Sequence, residues 1–464
     1  MQSPTPNAKR IAAEEKVFND PEYQRAQPRF VDWIEQLQRA QTADDLNALQ
    51  YELVIEFGAR QDAFAEVIPP RQKQANEEIR RLKDVRPFSL EEMEHQQAQL
   101  RGVAHAKAVY RALQHATRVV ADGMVWRALD YDRTAIAVLA DGDRVGHFAD
   151  DEGFQVELRG LDHIRDHYGV LAFHNDLTNC LRVGDLTAIF TTDDGHRLPV
   201  PIEVKKSEVL AEDSPQVKRI LAAMHRLNNG RLHLPLAYRT YLNDLPELIR
   251  RAKATGHATI HPAPCVFVEA VDYRHFGGRP EAVGEITRKV HDKLGWLGSG
   301  DLILTGMTGV SRMRDRYETV SELAPITIFP LPPEDVADLL FGFVDVKVHL
   351  NVPLLQIAFA RKGFYTDVSR APESGRIFLT AETNTSGTRV PAHLREQVLH
   401  EMMTPSTLTR MVEYIVGSDL AAQWRAPGSA PLVGFANERR AWTKDGSVDV
   451  SSVSLLPAGF PARA

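Results

Sequence analysis

One stretch, residues 181–207, reading LRVGDLTAIFTTDDGHRLPVPIEVKKS, constrains this chain more than any other. Two runs rich in β-branched and apolar residues, Val183 to Thr191 and Leu198 to Lys206, flank Asp193-Asp194-Gly195, a tight-hairpin signal. The runs are expected to pair antiparallel. A three-residue loop with Gly195 in the left-handed region sets Thr192 opposite His196 and, in the same register, Asp185 opposite Glu203. Side chains alternate along a strand, so Pro201, Glu203 and Lys205 point one way and Val200, Ile202 and Val204 the other. A two-residue Asp194-Gly195 turn instead pairs Asp185 with Val204 and separates the acids, because a slip of one residue turns every side chain to the other face. Chemistry that needs both acids selects the three-residue loop.

Two carboxylates this close repel unless a cation lies between them. A small set of hard oxygen ligands suits Mg²⁺, which keeps waters for substrate phosphates. A lysine beside them orients or deprotonates an attacking water and offsets charge growing on a phosphodiester. Gly184-Asp185-Leu186 with Ile202-Glu203-Val204-Lys205-Lys206 resembles the core of the PD-(D/E)xK nuclease superfamily, in which a strand bearing Asp adjoins one bearing Glu-x-Lys. The resemblance covers only part of the chain. It implies an α/β fold with a restriction-endonuclease-like mixed β-sheet flanked by helices, and phosphodiester hydrolysis dependent on Mg²⁺, for which Mn²⁺ substitutes. It implies Asp185 and Glu203 as metal ligands, the carbonyl of Val204 as a third ligand and Lys205 as the catalytic amine. Nucleic acid is then the partner, DNA favoured over RNA, in restriction, defence or repair. Members often carry a further acid on the preceding helix, and Glu157, Asp162 and Asp166 are all eligible here.

The competing reading is a solvated hairpin whose acids and lysine are merely neighbours. Asp345-Val346-Lys347 supplies a second acid-x-Lys without a close hairpin partner, and Gly300-Asp301 opens another apolar run. A catalytically inactive, nuclease-like module that binds nucleic acid or a partner protein is the alternative function.

At 464 residues two or three domains are expected: a mainly helical region over 1–150, the nuclease-like core over 151–275, and a C-terminal α/β region over 276–464. The net charge of −7 argues against a generally basic surface, so phosphate contacts need a local patch. Residues 205–253 hold ten Lys or Arg against five Asp or Glu. Within that patch Lys206, Gln216, Lys218, Arg219 and Arg226 are the candidate nucleic-acid contacts, since cations position a backbone without reading its sequence. The two cysteines, Cys180 and Cys265, sit in apolar runs and read as packed thiols of a reducing compartment. No apolar signal core or run of eighteen apolar residues occurs, so a cytoplasmic protein without a membrane span is expected.

Along the chain, Phe30, Ile34 and Leu37, then Leu46, Leu49, Leu53 and Phe57, recur at helical spacing, with Thr42 placed to cap the second segment and Pro69-Pro70 to end it. A further helix is expected from Leu90 to Val120. These N-terminal helices are the candidate surface for a homodimer or partner. A short helix over Leu161–Tyr168 and a strand over Gly169–His174 lead to His174, Asn175 and Asp176, which either line the site or form an Asx turn. Asp213-Ser214-Pro215 opens a helix that Asn228-Asn229-Gly230 ends. Strands over Leu232–Tyr241 and Pro264–Tyr273 are expected to complete the mixed sheet. Another strand is expected near Ile326, a boundary at Pro330–Pro333, and a helix over Ala392–Gly417.

Overall fold

The computed structural model describes residues 19–84, 90–140, 152–192, 195–204, 215–229, 231–234, 236–276, 303–308, 323–370, 377–382, 387–390, 397–416 and 432–435, with Val17, Trp442 and isolated positions between 285 and 292. Helix α1 (Pro21–Arg39) starts where Asp20 accepts backbone N–H bonds from Glu22 and Tyr23, and it buries Tyr23, Ala26, Phe30, Trp33, Ile34 and Leu37 along one stripe. Helix α2 (Ala43–Asp84) is opened by a reciprocal cap: Asp45 N–H donates to Thr42 Oγ1 at 3.1 Å while Thr42 N–H donates to Asp45 Oδ2 at 2.9 Å. It does not end at Pro69-Pro70 but runs through both prolines. Each proline removes one N–H donor and crowds the preceding turn. The continuation is held by packing on helix α3 (Leu90–Ala128), where Ile68, Ala75 and Leu82 are buried and Phe64 stacks on Tyr110 at 4.2 Å. Helix α3 continues past Val120 through a fully buried last turn.

The chain then forms α4 (Arg133–Leu139), buried throughout and capped by Asp132, and α5 (Glu152–Tyr168). Strands β1 (Leu171–His174), β2 (Leu186–Thr191) and β3 (Arg197–Ile202) make an antiparallel sheet in that order. Helix α6 (Pro215–Asn229) leads to β4 (Arg231–Leu234), and α7 (Leu245–Thr255) to β5 (His257–Ala263) and β6 (Val266–Asp272). Next come β7 (Ile303–Thr308), α8 (Pro333–Phe341), β8 (Val344–Asn351), α9 (Val352–Ala360), β9 (Tyr365–Arg370), β10 (Ile377–Glu382), β11 (Gly387–Val390), α10 (Pro405–Val416) and β12 (Leu432–Phe435).

The protein is a mixed α/β structure, but its strands are not grouped as the sequence suggested. Neither β4 nor β6 joins the β1-β2-β3 sheet: β4 pairs parallel with β12, and β6 lies inside a four-stranded antiparallel sheet ordered β5-β6-β8-β7. Partners as far apart in sequence as β4 and β12, or β6 and β8, leave no local signal. Ile326 sits in a 3-10 turn rather than a strand. The long helix expected over 392–417 is broken where Met402 takes a positive φ of 55° and Pro405 starts α10. Pro332 takes the N-cap position of α8, and α8 packs on α1 through Phe341 against Tyr23 and Phe30 and through a 2.7 Å bond from Gln27 to Asp338. One contiguous core takes residues from all three sequence segments, from Val17 through Leu248 to Trp442. A smaller core lies between α5 and the hairpin sheet.

Candidate functional site

The hairpin takes the three-residue loop: Thr192 N–H donates to the His196 carbonyl at 2.9 Å, and Gly195 sits at φ 81°. The ladder runs from Thr191 opposite Arg197 to Leu186 opposite Ile202. The paired ladder ends at that point. There the pairing is pinched, with Asp185 N–H donating to the Ile202 carbonyl at 2.9 Å and Val204 N–H donating to Asp185 Oδ2 at 2.7 Å. The Asp185 carboxylate therefore rests against the Glu203–Val204 peptide. Gly184 makes this approach possible: it lies at φ 77°, and a Cβ there would come within 2.7 Å of the Ile202 carbonyl oxygen.

Helix α5 fixes the orientation of β3. Leu186, Ile202 and Val204 pack with Leu158, Leu161 and Ile164, and Gly160 lets the helix come close to Leu186 and Val204. Glu203, between two residues that face α5, points away from that helix by strand alternation. Both acids are partly buried. Lys205 and Lys206 lie outside the described residues.

His174 and Asn175 are buried. His174 lies opposite Leu186 and contacts Glu157 Oε2 of α5 at 2.7 Å. Asn175 is a clamp: its side-chain amide donates to the Val183 and Gly184 carbonyls at 2.9 Å each, its carbonyl accepts from Thr187 Oγ1 at 2.8 Å, and its N–H donates to the Asp185 carbonyl. It holds the bend that delivers Asp185. The neighbouring Asp176 is partly buried, and its carbonyl accepts from Arg118 Nε at 3.1 Å; burial lowers the Arg118 guanidinium to about 10. Of the three eligible acids on α5, Glu157 meets the sheet, whereas Asp162 and Asp166 pair with Arg165 at 3.0 and 2.9 Å. Helix α6 packs beside β3. Its Ala223 and Leu227 are buried, Gln216 and Arg226 are half-buried, and Lys218 and Arg219 are exposed.

No family model, curated protein or solved structure matches the chain.

A second charged cluster lies on the four-stranded sheet. Glu269 on β6 stands opposite Lys347 on β8 and is fully buried. His257 Nε2 lies 3.1 Å from its Oε2, with His349 Nε2 at 3.3 Å and Lys347 Nζ at 3.6 Å from its Oε1. Burial alone pushes the Glu269 carboxyl up; the bonds from both histidines and the Lys347 charge outweigh it and hold the group well below its ordinary range. Asp345 accepts from Tyr273 Oη at 3.1 Å. Asp345-Val346-Lys347 thus has an acidic sheet neighbour after all, one that lies too far away in sequence for local reading to find. That acid already holds Lys347 and two histidines, and Asp301 lies outside the described residues. Among the described residues no group of three or more His, Cys, Asp or Glu is arranged to hold a metal. The acids of the hairpin end are two in number, so a shared ion there would take its remaining ligands from the Val204 carbonyl and water.

Proposed function

We propose that the chain is a divalent-metal-dependent nuclease of the restriction-endonuclease-like type, acting at the end of the β2–β3 hairpin. The observation that carries this reading is the seat of the Asp185 carboxylate on the Glu203–Val204 peptide at the end of the hairpin, where the Val204 N–H donates to it at 2.7 Å. The order α5, β1, β2, β3, α6 around that hairpin supports it. Two carboxylates and the adjoining carbonyl are the hard oxygen donors that suit Mg²⁺. When bound, such an ion lowers the pKa of a coordinated water and screens the phosphodiester. Asp185 and Glu203 hold it, Lys205 orients the attacking water, and Lys218 and Arg219 on α6 contact backbone phosphates, with DNA the favoured polymer.

A second reading has one observation in its favour. By accepting the Val204 N–H, Asp185 acts as a strand-end cap, a purely structural role compatible with an inactive nucleic-acid-binding module. Asp185→Asn separates the two, because an amide oxygen still accepts that N–H while the charge is gone. Asp185→Asn and Glu203→Gln are expected to melt like the native protein and to lose Mg²⁺-dependent cleavage of duplex DNA. Undiminished cleavage by either variant overturns the site; a native protein that binds DNA and never cuts it establishes the second reading.

A further inference from the structure

Helix α5 carries, on the side turned away from the hairpin sheet, two histidines one turn apart. His163 and His167 are both exposed, their ring centroids are 4.2 Å apart and their planes are inclined by 32°. Tyr168 closes the end of the helix beside them, 6.2 Å from His163 and 6.5 Å from His167. Residues four apart share a helix face, and a neutral imidazole nitrogen is a good ligand for borderline divalent ions. The pair lies in the last turns of α5, where the carbonyl end of the helix favours a cation. We propose that His163 and His167 form a two-histidine chelate for a Zn²⁺-class ion (Zn²⁺, Cu²⁺ or Ni²⁺), with water filling the remaining positions.

The neighbouring acids do not enlarge the site, because Asp162 and Asp166 are committed to Arg165, and Asp162 also to Tyr51. Arg159, exposed one turn earlier on the same face, adds a like charge. Two protein ligands beside a cation make an open, exchangeable site rather than a closed structural one. Occupancy ties together the last turns of the helix whose other face, through Leu161 and Ile164, packs on Leu186 and Ala188 of the hairpin sheet. A bound ion therefore stabilises the fold, by an amount that grows with the logarithm of its concentration over its dissociation constant. The inference is independent of the nuclease reading, since Mg²⁺, a hard ion, does not choose imidazole.

Titration calorimetry of the full chain with Zn²⁺ in excess Mg²⁺ tests it, alongside a Cu²⁺ titration read by electron paramagnetic resonance for nitrogen coupling. His163→Ala and His167→Ala are each expected to weaken Zn²⁺ binding about tenfold or more, as loss of one of two imidazole ligands should, and to remove the rise in melting temperature that Zn²⁺ confers. Both side chains are exposed, so the variants should melt like the native protein without metal. Unchanged Zn²⁺ affinity in the His163→Ala, His167→Ala double variant, or native protein with no Zn²⁺ binding, overturns the proposal whether or not the chain cuts DNA.

Discussion

At the scale of single residues, the bend before β2 depends on a backbone conformation that one residue type adopts easily. Gly184 has φ 77°, and its missing Cβ leaves room for the Ile202 carbonyl. Gly184→Ala is expected to cost about 1–3 kcal/mol, the range for a non-glycine residue forced into a rare conformation, and to displace Asp185 from Val204. Urea denaturation measures the first effect. A variant as stable as the native protein would mean that the bend relaxes at no cost. The hairpin register that brings Asp185 beside the Glu203–Val204 peptide was legible because alternation, a glycine turn and the two acids all lie within one short segment. The residues that support them were not. For Asn175 the sequence left a site role and an Asx turn both open, and its bonds to Val183, Gly184 and Thr187 show it instead clamping the bend before β2. Nothing local distinguishes Glu157 from Asp162 or Asp166 until α5 is laid on the sheet and Glu157 meets His174.

At the scale of elements, local signals located some helix boundaries and missed others: the helix expected over Leu161–Tyr168 begins at Glu152. The Thr42 cap and Pro215 marked where α2 and α6 begin, whereas Pro69-Pro70 marked no end. A proline breaks a helix only when nothing else pays its cost, and α2 lies along α3 over much of its length. The prolines therefore weaken a helix that packing maintains. Replacing both by alanine is expected to stabilise the protein by about 1–3 kcal/mol, less than two full interior-proline penalties because the unfolded chain also gains freedom. Thermal unfolding followed by circular dichroism checks the sign; a lower melting temperature would show that α2 needs its bend at that point to follow α3. Sheet composition was the least legible element property. Strand β6 has the right local pattern for any sheet, and only its pairing with β5 and β8 assigns it to the four-stranded one.

At the scale of the whole molecule, distant parts of the chain are joined by buried charges. Arg133 of α4 forms two bonds to Glu401, at 2.8 and 2.7 Å, and Glu401 also accepts from Tyr238 Oη at 2.6 Å and Ala324 N–H at 2.7 Å. Neither partner of the ion pair is more than 4% exposed. Burial pushes the Glu401 carboxyl up, but the Arg133 charge and these bonds outweigh it and leave the group below its ordinary value of 4.5. Glu269 is depressed in the same way by its histidines and Lys347. A carboxyl whose pKa is lower in the folded state binds fewer protons there than in the unfolded chain. Its contribution is therefore full above the ordinary value and is lost as pH falls below that value toward the folded pKa. Stability should thus decline steadily with acidification below about pH 4.5. Glu401→Ala should show a shallower decline and, at neutral pH, a loss of about 3–5 kcal/mol, because Arg133 is left buried without its counter-ion. Adding Arg133→Met removes that stranded charge and should recover part of the loss. Denaturation of the single and double variants at pH 7 and across the acid range decides it: a double variant no more stable than Glu401→Ala would show that the lost Tyr238 and Ala324 bonds, rather than the stranded Arg133 charge, account for the destabilisation.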